Sequence, residues 1–244
     1  MTRLVPEVSD IKGNSVAIVG WDEGGAGQIH SWIGDIGLHV ACFVNPTDTP
    51  PDIDIESERK KRDAKSFDFP TRDSFKDVPL VSAADWPDVI RDLGIGKAIV
   101  IAATARQRYD SILAAEKKGI APTSAIHPTA TILADVEIGT NVILFPRAFV
   151  GYRSELAMGA MLNTGAQLDH HNVVGICATI DPGVVTAGNV TIGDFATVHT
   201  GATVIKRTRI GKHAIVGAGA VIIDDVPPDT TVVGVPGRVI KRLT

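Results

Sequence analysis

The chemistry-bearing residues of this chain gather in two short stretches. Asp169, His170 and His171 are consecutive, near the end of Leu162–Asn172 (LNTGAQLDHHN). Histidine is the only side chain whose ordinary pKa lies close to neutrality, so this triplet is suited to moving a proton. Eighteen residues on from His170 lies Gly188, within Pro182–Asp194 (PGVVTAGNVTIGD). A glycine there lets a bound molecule come close to the backbone, and its N–H could steady a developing oxyanion. In the second stretch, Gly20, Gly24, Gly25 and Gly27 sit where a strand is expected to hand over to a helix. Backbone amides and the helix dipole can receive a phosphate at such a junction. The spacing is not G-x-G-x-x-G, and Asn45 stands where an acidic residue would hold a ribose, so a dinucleotide oxidoreductase is not expected.

A repeat decides what positions the histidines. Stepping by six from Ile126 through Ile132 and Ile138 to Val216 and Ile222 meets an aliphatic residue every time except at Thr186. The residue four places further on is small or β-branched except at Asn172. Helical and simple strand periods would both lose this phase, and a hexad repeat is the signature of a parallel β-helix. Three hexads per coil would stack residues 18 apart. Gly165, Gly183, Gly201 and Gly219 fall in one such column, as do Gly175, Gly193 and Gly211. A glycine column of this kind is what a repeated corner with positive φ requires. The same spacing stacks Gly188 over His170.

Ahead of the repeat, Ser15–Gly20 (SVAIVG), Leu38–Val44 and Lys97–Ala102 read as strands. Helices are expected after the first of them, through about Gly37, and from about Ala105 to Lys118, where Gly119 ends it. This alternation predicts a small Rossmann-like α/β domain. Pro46–Pro79, with its charged run Glu56–Arg62 (ESERKKR), reads as an inserted solvated loop, most mobile over Asn45–Ser66. The expected division is an α/β domain over 1–122, a β-helix over 123–230 and a tail over 231–244.

The net charge of −4 gives no case for binding nucleic acid or an anionic membrane. No apolar run reaches the roughly 18 residues of a membrane span. The first 15 residues lack a signal-peptide core, and Cys42 and Cys177 fall in different predicted domains. Together these features suggest reduced thiols and a cytoplasmic protein.

An α/β domain joined through Ile126-His127-Pro128 to an uninterrupted hexad repeat resembles the hexapeptide-repeat sugar acetyltransferases of bacterial glycan synthesis. These include the N-acetyltransferases of nucleotide-linked 4-amino sugars and the sialic acid O-acetyltransferases. The resemblance is carried by LNTGAQLDHHN, PGVVTAGNVTIGD, Val216–Val226 (VGAGAVIIDDV) and Gly234–Arg242 (GVPGRVIKR). It implies a left-handed β-helix, acetyl-CoA as co-substrate, no metal, and a homotrimer with its sites between subunits. It also implies that His170 is the general base, tuned by Asp169 or His171, with Gly188 serving the oxyanion. The CoA-lining positions it implies are Thr179, Gly188, Thr200, Gly201, Ala218 and Gly219. Lys206, Arg207, Arg209, Arg238, Lys241 and Arg242 offer charge for the CoA phosphates. Gly20, Gly24, Gly25, Asn45 and Asn163 are the implied nucleotide-sugar positions.

Two departures from the family pattern stand beside this site. His171 occupies the place of an acidic residue after the base, and Thr179 that of a histidine near the thioester. Asn172 breaks the hexad rule next to them. His127 is expected to be structural, and His199 and His213 to be solvent-facing. The separations of 29 from His170 to His199 and 14 from there to His213 do not match the zinc-binding β-helix pattern. The expected activity is acetyl transfer from CoA to the amine of a nucleotide-linked sugar. O-acetylation of a sialic acid or other hydroxyl is the enzymatic alternative, and a catalytically silent nucleotide-sugar-binding trimer the other.

Overall fold

The computed structural model describes residues 13–50, 70–71, 73–102 and 104–242. Glu56–Arg62 and most of Asn45–Ser66 lie outside the described residues. Backbone contacts divide the chain into two units. One is Met1–Ala103 with Leu113–Pro122, and the other Thr104–Ile112 with Thr123–Thr244.

In the first unit, β1 (Ser15–Val19), β2 (His39–Asn45), β3 (Ser74–Phe75), β4 (Val78–Ser82), β5 (Lys97–Val100) and β6 (Ala121–Pro122) form one sheet. Its order is β3-β4-β2-β1-β5-β6, parallel except for the β3–β4 pair. The apolar run of β1 is buried along its whole length, as a strand covered on both faces should be. Between strands run α1 (Glu23–Trp32) and α2 (Trp86–Asp92), and α3 (Ala105–Lys117) divides between the units, its residues through Ile112 belonging to the second. Trp32 is followed by a 3-10 turn, Ile33–Ile36, closed by Gly37 at φ 77°. Gly119, at φ 74°, lies just past α3.

Two expectations for this unit need correcting. The end of Pro46–Pro79 is not a solvated insertion. It forms β3 and the start of β4, with Phe75 buried against Trp21 and Phe43. Nor do most of the glycines after β1 sit at the junction itself. Gly24, Gly25 and Gly27 already lie within α1, whose N-cap is Asp22.

The second unit is a parallel β-helix of two-residue strands in three sheets. Ile143 pairs with Met161, Phe149 with Gln167 and Glu155 with Val173, so each coil is 18 residues long. The hexad residues fill its axis. Leu144, Leu162, Ile180, Val198 and Val216 are buried on one side, with Ala148, Ala166, Val184, Ala202 and Ala220 beside the neighbouring corner. Truncating one of the large members to Ala should cost ~2–5 kcal/mol. Thr186 is buried with the rest, and its hydroxyl has no partner among the described residues.

The two glycine columns exist for different reasons. Gly165, Gly183, Gly201 and Gly219 have φ of 68°, 68°, 70° and 64°. Gly175 and Gly193 lack positive φ; a Cβ on Gly175 would lie 2.5 Å from the Asp194 nitrogen on the next coil. That column is demanded by close coil-to-coil approach. A third column, Arg153, His171, Asn189 and Arg207, turns its corner at φ of 55–63° without glycine.

The early hexads are the least covered, with Ile132 36% exposed. At the other end Val226 bridges to Ile210, and the strand Thr230–Val233 continues the sheet beside Ile215–Val216. Arg238–Arg242 then pairs antiparallel to it, so the expected tail contributes an exposed edge strand.

Candidate active site

Asp169, His170, His171 and Asn172 occupy the corner between the strand Gln167–Leu168 and the strand Val173–Val174. The coil ladder fixes that corner. The Asp169 N–H donates to the Thr186 carbonyl, the His171 N–H to the Tyr152 carbonyl, and the Asn189 N–H to the His170 carbonyl. Residues 169, 170 and 171 are all exposed, so their functional groups are available to a ligand.

Gly188 lies one coil from His170, and the imidazole lies flat against it. A Cβ on Gly188 would be 2.5 Å from His170 Nε2 and closer still to Cε1. No other residue type fits under the ring as it stands. The pair inferred from spacing is therefore in contact, and among the described residues no acceptor in the chain takes the Gly188 N–H.

The two imidazoles are bonded to each other. His170 Nδ1 and His171 Nδ1 are 2.9 Å apart, with the rings edge to face. One Nδ1 must carry the hydrogen and the other accept it. When His170 donates, its Nε2 is the bare, basic nitrogen, and His171 fills the orienting role a carboxylate has elsewhere. His171 is held in turn by an edge contact with Tyr152, over which Arg153 lies 4.9 Å from the ring centre. Asp169 does not reach the imidazole. Its Oδ1 accepts the His170 backbone N–H at 2.8 Å.

Asn172, which breaks the hexad rule, is fully buried and saturated. Its Nδ2 donates to the carbonyls of Asp169 and Ala187, and its Oδ1 accepts the Val190 N–H at 3.0 Å. The Asn172 N–H donates to Ser154 Oγ, which itself donates to the Asp169 carbonyl. The side chain thus clamps the residue before His170 to the residue before Gly188.

Sequence reasoning missed Arg108. It lies on the part of α3 that belongs to the second unit, is 1% exposed, and donates to the carbonyls of Gly159 (2.9 Å) and Cys177 (2.7 Å). It also donates to Thr179 Oγ1 at 2.8 Å, so that hydroxyl is engaged as an acceptor. Burial pulls the Arg108 guanidinium below its usual pKa and pushes the Cys177 thiol up.

The outer face beside the site carries an open groove of about 630 Å³. Phe149, Gln167, Val185 and Thr203 floor it, and Asp169, Ala187 and Lys206 line one side. Thr200, Gly201, Ala218 and Gly219 lie on exposed corners of later coils, and Arg238 and Lys241 on the C-terminal edge strand. Asn163 donates to Asp181 Oδ1 at 3.2 Å, and His199 Nδ1 lies 2.7 Å from Asp181 Oδ2. His199 is therefore tethered rather than merely solvent-facing. His213 stacks on Phe195 with centres 5.0 Å apart, and His127 Nδ1 accepts the Thr129 N–H in a turn.

In the α/β unit, Gly20, Asn45 and the start of α1 share the C-terminal edge of the sheet. Gly20, at φ 96°, has no room for a Cβ against Ala102. The Gly25 N–H donates to Asp22 Oδ2 at 2.7 Å, so a carboxylate already caps the helix. Asn45 Nδ2 donates to Thr47 Oγ1 and the Thr49 carbonyl. No cluster of metal-binding side chains occurs among the described residues, and no helix among them is long and apolar enough to cross a membrane.

No protein-family model and no curated protein matches the chain. Solved structures do. The architecture, an α/β subdomain followed by a left-handed parallel β-helix, is that of hexapeptide-repeat sugar acetyltransferases. PerB from Caulobacter crescentus, solved with CoA and GDP-perosamine, is 26% identical with a TM-score of 0.79, covering 93% of this chain and 97% of its own. A variant of the GDP-perosamine N-acetyl transferase of the same organism, with a histidine replaced by alanine, gives 27%, 0.79 and the same coverage. The acetyltransferase domain of PglB from Neisseria gonorrhoeae FA1090, solved with acetyl coenzyme A, shares the fold at 24% identity and a TM-score of 0.73. It covers 93% of this chain and 99% of that domain.

Proposed function

We propose that this protein is an acetyl-CoA-dependent N-acetyltransferase acting on a nucleotide-linked amino sugar. The observation that carries the reading is the His170 imidazole seated on Gly188, in a chain similar over nearly its whole length to a GDP-perosamine N-acetyltransferase. His170 Nδ1 donates to His171 Nδ1, which leaves Nε2 to take the proton from the sugar amine. The amine nitrogen attacks the thioester carbonyl and the C–N bond forms. Negative charge collects on the carbonyl oxygen, where the Gly188 N–H receives it. The C–S bond then breaks, and the CoA sulfur leaves with a proton returned from the imidazolium.

The groove beside Asp169 has one wall, and its face exposes Leu133, Val185, Ile205 and Ile223. A second copy of the chain would cover these side chains and supply the other wall, in keeping with a homotrimer. CoA would then lie along Thr179, Thr200, Gly201, Lys206, Ala218 and Gly219, with Arg238 and Lys241 available to its phosphates. Gly20, Gly24, Gly25 and Asn45, at the carboxyl edge of the α/β sheet, would meet the nucleotide, and Asn163 belongs to the same assignment. The two buried thiols fit a reducing, cytoplasmic setting.

The test is calorimetric titration with acetyl-CoA and with CoA, followed by an acetyl-transfer assay on GDP-perosamine. One site per chain at micromolar to sub-millimolar strength is expected. His170→Ala should lower kcat at least ~100-fold. No heat at millimolar CoA, or a His170→Ala loss below about threefold, would overturn the reading.

A further inference from the structure

Outside the His170 corner, one polar device in the coil unit has no structural duty large enough to explain it. Asn163, Asp181 and His199 stand 18 residues apart in one column, on three successive coils. Asn163 Nδ2 donates to one oxygen of the Asp181 carboxylate at 3.2 Å, and His199 Nδ1 meets the other at 2.7 Å. The ladder holds all three backbones, with the N–H groups of 163, 181 and 199 donating to the carbonyls of Ile180, Val198 and Val216. Asp181 is largely covered, with 22% of its side chain exposed, while His199 keeps 44%. An ion pair that exposed contributes little to stability.

What the arrangement does fix is a tautomer. A carboxylate only accepts, so the hydrogen of neutral His199 sits on Nδ1 and Nε2 is left as a bare acceptor. No partner for Nε2 occurs among the described residues. Asp181 is the charged group against this ring among them.

The placement is equally specific. Residues 163, 181 and 199 directly follow the strands Met161–Leu162, Thr179–Ile180 and Thr197–Val198, at the corners that lead into Gln167–Leu168, Val185–Thr186 and Thr203–Val204. Those three strands floor the groove, and Asp169 and His170 lie where the first of them ends. The groove face is therefore bordered by one imidazole site at each edge.

We propose that the Asp181–His199 pair is a second ligand-binding site of the acyl-transfer face, whose Nε2 accepts a hydrogen bond from an N–H or O–H of a bound substrate. The inference rests on the transferase reading above. Two substrates carry such donors: CoA, in the amides of its pantetheine arm, and the nucleotide sugar, in its hydroxyls. Asp181 is the positioning residue and His199 the contact.

The experiment titrates the full chain with CoA and, separately, with GDP-perosamine, for wild type, His199→Ala, His199→Gln, His199→Lys and Asp181→Asn, at pH 8. For one of the two ligands, His199→Ala should weaken Kd about fivefold at pH 8, the loss of one hydrogen bond. The ligand that responds identifies the donor. His199→Gln, whose amide oxygen still offers an acceptor, should recover most of that loss, whereas His199→Lys, which keeps a partner for Asp181 but offers no acceptor, should not. A purely structural role would not produce that difference. Asp181→Asn, which frees the tautomer while keeping the shape, should fall between wild type and His199→Ala. Thermal melts confirm that each variant is folded. Wild-type affinity for both ligands in His199→Ala overturns this inference and leaves the transferase reading intact. Wild type binding neither ligand overturns both.

Discussion

Gly188→Ala isolates the geometry of the site from its chemistry, because the substitution removes no functional group. Gly188 does not have positive φ, so alanine fits the backbone there. Its Cβ would stand 2.5 Å from His170 Nε2, whereas an unstrained contact needs about 3.5 Å. The ring must therefore move by about 1 Å. It can do so cheaply, because His170 is exposed and hinged at χ1. The Nδ1–Nδ1 bond at 2.9 Å stretches out of hydrogen-bond range in the process. Stability should hardly change, since alanine also trims the freedom of the unfolded chain. Catalysis should suffer: a misplacement of about 1 Å costs on the order of 100-fold, about 2.7 kcal/mol in the barrier. The assay follows CoA thiol release with GDP-perosamine as acceptor, beside a thermal melt. Because the variant acts through the imidazole, His170→Ala combined with Gly188→Ala should be no slower than His170→Ala alone. Activity within threefold of wild type, or fully additive losses in the double variant, would refute the argument.

Three further outcomes follow from the same contacts. His171→Ala removes the orienting partner of His170 and should lower kcat about tenfold, the worth of one hydrogen bond, while His171→Glu, which restores an acceptor, should recover most of it; equal rates for wild type and His171→Ala would sink the paired-imidazole mechanism. Arg108→Ala leaves the Gly159 and Cys177 carbonyls buried without their donor and should cost ~3–5 kcal/mol in urea unfolding, with a cost under about 1 kcal/mol counting against it. Burial pushes the Cys42 thiol from 9.0 up to about 12. Below pH 9 the thiol is protonated whether the chain is folded or not; above it the unfolded chain ionises and the folded one resists, so stability falls by up to about 1.4 kcal/mol per pH unit until pH 12. Cys42→Ala should flatten that alkaline slope, and an unchanged slope would show that the loss arises elsewhere.

The coil unit was legible because its period is a length, and lengths survive in a sequence. The 18-residue spacing alone places Gly188 against His170. The same spacing also runs from Asn163 through Asp181 to His199, so the signal for that column is present in the sequence as well. Arg108 leaves no such trace: its partners lie 51 to 71 residues away, and nothing in the periodicity of α3 marks which arginine is buried. In the α/β unit the long apolar strands were plain. β3 and β4 are hidden by Pro79 and by the charged stretch ahead of them, since the pairing of β4 with β2 and of β3 with β4, rather than local pattern, makes them strands. The glycines of α1 mark a strand-to-helix junction by composition, yet Asp22 caps the helix ahead of them and carries it through.

A chain whose hexads are nearly interchangeable has an identity problem that ordinary sheets lack. Slide one coil past the next by six residues and aliphatic side chains still point inward almost everywhere, so hydrophobicity barely distinguishes the native alignment from its neighbours. Asn172 does distinguish it. In the native alignment its amide finds the Ala187 carbonyl and the Val190 N–H on the following coil. In any slipped alignment those groups move away and a buried amide is stranded, at ~1–3 kcal/mol for each lost partner. A single buried asparagine fixes strand alignment in coiled coils by the same logic. Asn172 would then act during folding as a keyed tooth, admitting the one winding of the chain that also delivers His170 onto Gly188.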